Sequence, residues 1–143
     1  MPKQKNKIIF PKEKLVGRRN WGKEKLLVLI PRVLSLKLLI MKKGKRGGLQ
    51  YHHKKNECGY LLSGKLKIKY DNGTGRLREK VIKKGQSFHF APGLVHQEIA
   101  LTDCKIIEAS SPHFNDRVRV EHRYGLVDKK GLSSTKKKDV KFE

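Results

Sequence analysis

The sequence predicts an all-β domain, a barrel or sandwich built from many short antiparallel strands. Apolar residues recur with period two from residue 26 to 110, turn residues interrupt them at short intervals, and no helical periodicity appears in that span. In chain order, "LLVLI" and "LSLKLLIM" read as strands separated by Pro31, which cannot donate to a ladder. "KKGKRGG" is a Gly-rich turn, and "GLQYH" and "CGYLLSG" read as further strands. "KLKIKY" alternates cleanly, with Lys65, Lys67 and Lys69 on one face and Leu66, Ile68 and Tyr70 on the other. "DNGTG" then predicts a hairpin, because Asn-Gly tolerates positive φ. "KVIKKGQSFHFAPG" and "CKIIEAS" continue in the same style, and the Lys-rich "STKKKDVKFE" reads as a frayed end.

A chain of 143 residues suits one domain with one core. Cys58 and Cys104 make neither a disulfide framework nor a zinc knuckle, which predicts a reduced, cytoplasmic setting. The first residues contain no apolar run of signal-peptide length, and the greasiest stretch is cut by Pro31, Arg32 and Lys37, so no bilayer span is expected. The net charge of +22 is the dominant bulk feature. Residues 26–125 alone carry twenty basic and eight acidic groups, so the charge belongs to the body as well as the ends. Such a field attracts nucleic acid, anionic lipid or a phosphorylated metabolite, or is simply a lysine-biased solvated surface.

One stretch concentrates chemistry: "LQYHHKKNECGYLLSG", residues 49–64. Residues two apart in a strand share a face, so Gln50 and His52 point together and His53 points away. After the polar turn "KKN", Glu57 opens the return strand and can face back toward His52. Far downstream, the Pro-Gly turn in "APGLVH" directs His96 off the end of its strand. Two imidazoles, a carboxylate and an amide oxygen form a mixed N/O shell for a divalent metal, open in the manner of catalytic sites because it lacks thiolate. The competing reading is a polar hairpin whose histidines cap turns.

The two stretches "QYHHKKNECGYLLSG" and "GQSFHFAPGLVH" resemble the paired motifs of the cupin superfamily. The first is usually His-x-His-x(4)-Glu-x(6)-Gly and the second Gly-x(5)-Pro-x-Gly-x(2)-His. Glu57 and Gly64 keep the first spacing; Gly85, Pro92, Gly93 and His96 supply the second, with the proline one place late. Gln50 replaces the first histidine, and this form is similar to that of mannose-6-phosphate isomerases and the cupin half of bifunctional isomerase/guanylyltransferases. "RNWGKEKLL" resembles their "RPWG" opening, with Asn20 in place of the proline. "SSPHFNDRVRVEHRYGL" resembles their closing Arg-x-Glu-Asp-Asp-Tyr-Gly-Arg: Arg119, Glu121, Tyr124 and Gly125 match, while His122, Arg123 and Leu126 depart from it.

The resemblance implies a double-stranded β-helix, a cupin barrel of jelly-roll type, over residues 18–126, with a basic N-terminal arm (1–17) and a basic, flexible tail (127–143). It implies a metal, usually Zn²⁺, on Gln50, His52, Glu57 and His96, with Mn, Fe, Co or Ni as other ions, and Arg119 as the arginine of the sugar-phosphate site. The activity it implies is isomerisation of mannose 6-phosphate to fructose 6-phosphate. The expected partners are a phosphorylated sugar and a second copy in a homodimer, with no membrane. A non-catalytic cupin holding a sugar or small anion, and a basic protein binding nucleic acid, are the rival classes. Against the last, aromatics are few and no zinc-finger spacing, RRM signature or recognition helix appears. No P-loop or dinucleotide fingerprint is present either. Among the remaining candidates, His89 and Trp21 read as packing residues, His53 as surface, and Cys58 as facing away from Glu57. His113 has no role, and Lys54 and Lys55 read as solvated turn residues or anion contacts at the mouth.

Overall fold

A computed structural model describes residues 7–127 and 133–143. Eleven strands run β1 Lys14–Arg19, β2 Gly22–Ile30, β3 Leu34–Met41, β4 Gln50–Tyr51, β5 Glu57–Ser63, β6 Lys65–Asp71, β7 Arg78–Lys83, β8 Ser87–Phe90, β9 Val95–Ala100, β10 Cys104–Ser110 and β11 Val118–Arg119. Two short 3₁₀ turns follow, Glu121–Tyr124 and Lys137–Asp139. The strands form a six-stranded sheet ordered β1-β2-β3-β10-β5-β8 and a five-stranded sheet ordered β11-β4-β9-β6-β7. Every named pairing is antiparallel. From β3 onward the chain passes back and forth between the sheets, interrupted once by the β6–β7 hairpin. The all-β expectation holds as a sandwich of two sheets; their ladders do not close into a single barrel.

The period-two reading of "KLKIKY" is realised in β6, whose Leu66 and Ile68 are buried while Lys65 is exposed. The hairpin at 71–75 joins β6 to β7, and Asp71 Oδ1 accepts the N–H groups of Gly73, Thr74 and Gly75. Two stretches escaped the pattern: all of β1 and the first half of β2. Their residues are charged on both faces, so no alternation marks them. Pairing with β2 nevertheless makes β1 the edge of the larger sheet.

The interior is divided along the strands. At one end Leu39, Met41, Leu61, Phe90, Cys104 and Ile106 from the larger sheet meet Leu66, Ile68, Ile82 and Ala100 from the smaller. Leu61, Leu66 and Ile106 are 0% exposed, each contributing about 1.5–3 kcal/mol of burial. At the other end the same strands turn polar groups inward: Ser35 and Lys37 on β3, Glu57 on β5, Glu108 and Ser110 on β10. The apolar end holds the sheets together and leaves the polar end free to build a site.

The closing segment docks on this polar end. Residues 134–143, read from sequence as a frayed end, hydrogen-bond the body: Thr135 N–H donates to Arg117 O at 2.8 Å and Glu143 N–H to Pro112 O at 2.8 Å. The Phe142 ring stacks on His113 at 4.7 Å. No described helix is long and apolar enough to cross a membrane.

Candidate metal centre

A cavity of about 650 Å³ opens between the sheets at their polar end. Gln50, His52, Glu57 and His96 all line it, together with Arg119. Glu57, His52 and His96 form a buried cluster whose potential ligand atoms lie within 4.8 Å of one another. Glu57 Oε1 is 3.0 Å from His52 Nε2 and 3.1 Å from His96 Nε2. Gln50 pairs in register with His96 across β4 and β9, so its side chain lies beside the cluster.

Local structure explains this convergence. Ala91–Leu94 makes a Pro-Gly turn closed by Leu94 N–H on Ala91 O at 3.1 Å. Gly93 adopts φ 87°, which a residue with a Cβ reaches only under strain. Its N–H donates to His52 O at 2.8 Å, so the turn that launches His96 is tied to the other histidine. Gly64 closes the first motif for a steric reason: a Cβ there would stand 2.2 Å from Asp103 O. Phe90 stacks on the His96 ring at 4.0 Å and 17° and fixes its plane.

Hydrogen bonds on the far sides of both rings decide what the centre can hold. His52 Nδ1 meets the Asp116 carbonyl, and His96 Nδ1 meets the Leu94 carbonyl at 2.9 Å. A carbonyl only accepts, so each Nδ1 carries the proton and each neutral ring turns its Nε2 lone pair inward. Two lone pairs and a carboxylate oxygen then converge with no proton between them. A cation at that point converts three mutually repelling acceptors into ligands. Cis ligands held about 2.1 Å from one ion stand about 3 Å apart, which is the spacing of Glu57 Oε1 from each histidine nitrogen. Carbonyls anchoring the outer nitrogens are the usual support of metal-ligating histidines. The residues present fit a divalent ion.

The second oxygen of Glu57 reveals a residue that the sequence reading misplaced. Lys55 Nζ reaches Glu57 Oε2 at 2.8 Å and Glu108 Oε1 at 3.2 Å. It is buried inside the sandwich, neither solvated nor at the mouth. The turn "HKKNE" follows no strand parity, because Asp116 shapes it: its carboxylate accepts the N–H groups of His53, Lys54 and Lys55 at 2.7–2.9 Å. Burial alone raises the Glu57 carboxyl, but the Lys55 ammonium beside it pulls the other way, and the group is held well below the usual range. Glu108 goes the other way, raised first by burial and then by the charge of Glu57.

Further charges line the same cavity. Lys37 Nζ binds Glu24 Oε1 at 2.7 Å, and Arg19 reaches Glu24 Oε2 at 3.3 Å. Glu98 follows His96 by two residues, and its Oε2 is buried without a hydrogen-bond partner. Burial, then the neighbouring Glu108 and Glu57, raise its carboxyl well above the usual value. Neither Glu98 nor Glu108 was singled out from sequence. The only available signal was parity: Glu98 shares a face with His96 in "VHQEIA".

At the mouth, Arg119 donates through Nε and Nη2 to Glu121 Oε1 at 3.0 and 2.5 Å. Glu121 Oε1 also accepts the Leu49 N–H at 3.1 Å, and Tyr124 Oη donates to Asp71 Oδ2 at 2.5 Å. The matching residues of the closing motif thus pin that segment to the smaller sheet. His89 lies on the outer face, bonded to Asn56 Oδ1 at 2.6 Å, and Cys58 is exposed opposite it in register. Trp21 packs against the apolar cluster and also lines the cavity. His53 is partly buried and meets Thr135 O at 3.0 Å.

Comparison with known proteins agrees with this architecture. Structural similarity extends to the capsular polysaccharide assembling protein CapF from Staphylococcus aureus, at 20% identity and TM-score 0.59 over 69% of this chain and 29% of that one. KdgF from Halomonas sp. aligns at 20% identity and TM-score 0.55, covering 63% and 77% of the two chains. A single-substitution variant of the B. subtilis oxalate decarboxylase aligns at 16% identity and TM-score 0.65, covering 88% and 40%. The chain therefore spans less than half the length of CapF and of the decarboxylase, and these likenesses show the fold alone. No curated protein matches the sequence. The model of the cupin domain matches residues 37–110, the segment from the polar half of β3 to the end of β10 that carries all three clustered ligands. With that match over half its length, the chain belongs to the cupin family.

Proposed function

We propose that this cupin is a metal-dependent enzyme of small phosphorylated sugars, and that its reaction is aldose–ketose isomerisation of the mannose 6-phosphate to fructose 6-phosphate type. The observation that carries the metal is the meeting of His52 Nε2, His96 Nε2 and Glu57 Oε1 with every outer ring nitrogen already bonded to a carbonyl. His52, His96 and Glu57 would hold the ion, and Gln50 would add its amide oxygen. The N/O donor set suits Zn²⁺. A bound divalent ion supplies Lewis acidity toward a sugar carbonyl or hydroxyl. Lys55 neutralises the second oxygen of Glu57 and leaves Oε1 to face the imidazoles. Glu98 also lines the cavity and keeps a buried carboxyl oxygen without a partner. The cavity volume is within the range of small-metabolite pockets.

Support for isomerisation comes from the Gln50-x-His52 form of the first motif and from Arg119, Glu121, Tyr124 and Gly125. One observation favours a second reading, a cupin that holds an anionic sugar without turnover: Arg119 is already engaged by Glu121. The test has two stages. Protein purified without any nickel column should carry close to one divalent ion per chain, and His52→Ala or His96→Ala should strip most of it. Metal content unchanged in both variants ends the metal reading. Metal-restored protein is then assayed across hexose phosphates; full metal loading with no interconversion of any of them leaves the binding reading.

A further inference from the structure

Four arginines line the cavity: Arg19, Arg46, Arg117 and Arg119. Two are engaged by carboxylates. Arg19 donates through Nε and Nη2 to Glu24 Oε2 at 3.3 Å, and Arg119 forks onto Glu121 Oε1. Arg119 is also wedged over the backbone, since a Cβ on Gly48 would lie 2.3 Å from its Cζ. Among the described residues, the side chains of Arg46 and Arg117 have neither an ion-pair nor a hydrogen-bond partner; Arg46 is exposed to solvent, which leaves the Arg117 guanidinium. It is partly buried all the same. Burial lowers its pKa, and the positive charges of Arg19 and Arg119 lower it further; Glu24 is the one opposing acid, and it already serves Lys37 and Arg19.

A half-desolvated guanidinium beside two like charges is unfavourable unless something negative joins it. Its backbone is not free to retreat. Arg117 follows Asp116, which is 2% exposed and bonded to His52, His53, Lys54 and Lys55, and the Arg117 carbonyl accepts the Thr135 N–H. The fold therefore holds in place, at the cavity wall, a charged fork that has no partner among the described residues.

We propose that Arg117 is the anchor of an oxyanion subsite, taking the phosphate or carboxylate of a ligand whose other end reaches His52, Glu57 and His96. A guanidinium fork matches the paired oxygens of either group and remains charged at any physiological pH. This rests on the reading of the cavity as the site of a small anionic sugar, and it places the anion on Arg117, with Arg119 as the strut that holds Glu121.

The full chain, metal-loaded, is titrated calorimetrically with inorganic phosphate, mannose 6-phosphate, glucuronate and uncharged mannose. Arg117→Gln should weaken phosphate and mannose 6-phosphate about tenfold to a hundredfold, the range for losing hydrogen bonds to a charged group, and leave mannose unchanged. Arg117→Lys keeps the charge but not the fork, and should fall between. Replacing Lys136, Lys137 and Lys138 by Gln should leave all four ligands as they were. Because Arg117→Gln relieves like-charge repulsion, its melting temperature should not fall; if it fails to fold, the lysine variant decides. Phosphate binding unchanged in Arg117→Gln or Arg117→Lys, or lost with the tail lysines instead, overturns the subsite. Glucuronate held through Arg117 while mannose 6-phosphate is ignored supports the subsite and removes the phosphorylated-sugar function. Phosphate held through Arg117 by a protein that isomerises nothing supports the subsite and removes the isomerase.

Discussion

Lys55→Met isolates the charge at the heart of the polar interior. The ammonium has two contacts, 2.8 Å to Glu57 and 3.2 Å to Glu108. At an effective dielectric of about 20, each is worth about 5 kcal/mol of Coulomb energy. Desolvation of the ammonium offsets much of that, and removing one partner of a buried ion group leaves a net loss of about 3–5 kcal/mol. For a chain of this size the melting temperature should drop by about 10–20 °C. The variant should also depend on pH more steeply than the wild type, in which the raised carboxyls of Glu98 and Glu108 already favour low pH. In the wild type Lys55 is raised above its ordinary 10.5, so its contribution is complete below that pH and flat through neutrality. Without it, Glu57 and Glu108 face each other, and one takes up a proton with a folded pKa above the unfolded value. Stability is then gained at low pH and lost as pH rises, so the variant should melt higher at about pH 5 than at about pH 8. Scanning calorimetry on EDTA-treated protein reads both effects, and added divalent metal should shrink the deficit by neutralising Glu57. A variant that melts within about 3 °C of wild type, with a slope across that range no steeper than the wild type's, would refute the electrostatic reasoning.

Two other predictions concern the scaffold around the centre. Gly93→Ala forces a Cβ into φ 87° at a cost of about 1–2 kcal/mol, and should lower metal content in elemental analysis by displacing His96; normal loading would show that the turn does not set its position. Tyr124→Phe removes the bond to Asp71. The Tyr124 phenol is pushed up to about 12 by burial and by its bond to Asp71, and Asp71 is held below 3.8 chiefly by that bond and by the N–H groups of its turn. The tyrosine's contribution is present below 10.0 and lost as pH rises through its folded value, whereas that of the aspartate is present above 3.8 and lost as pH falls through its lower folded value. The variant should show smaller losses of melting temperature at both extremes, and spectrophotometric titration should lose one tyrosinate step near pH 12; an unchanged alkaline step would refute the assignment.

The cluster of His52, Glu57 and His96 was legible because its residues sit where strand parity is well defined. His96 and Glu57 lie within the first two positions of β9 and β5, and Gln50 and His52 are two apart across a short strand. The same parity gave the faces of β6 correctly. It gave nothing for Lys55, whose direction is set by Asp116 from 61 residues away. Nor could it rank Lys37, because β3 turns Ser35 and Lys37 inward and leaves Leu36 and Leu38 half-covered. Alternation reports which residues share a face, but it identifies the interior only when the interior is apolar. Here much of it is polar or charged, so nothing in the pattern singled out Glu24, Lys37, Glu98 or Glu108. β1 was missed for a related reason: an edge strand with little to bury leaves no pattern.

Asp116 has a consequence for the order in which the molecule comes together. It orients His52 through its carbonyl and shapes the following turn through both carboxylate oxygens, across sequence separations of 61 to 64 residues. Contacts that distant require a large loop to close before they contribute, and they form late. A chain emerging from the ribosome can pair β3 with β2 and β6 with β7 long before residue 116 is available. Until then the His52 ring is not held and the Lys55 ammonium has no fixed direction. Tight capture of the proposed ion would therefore be a closing event, and slow uptake of metal by refolding protein would report the arrival of this one residue.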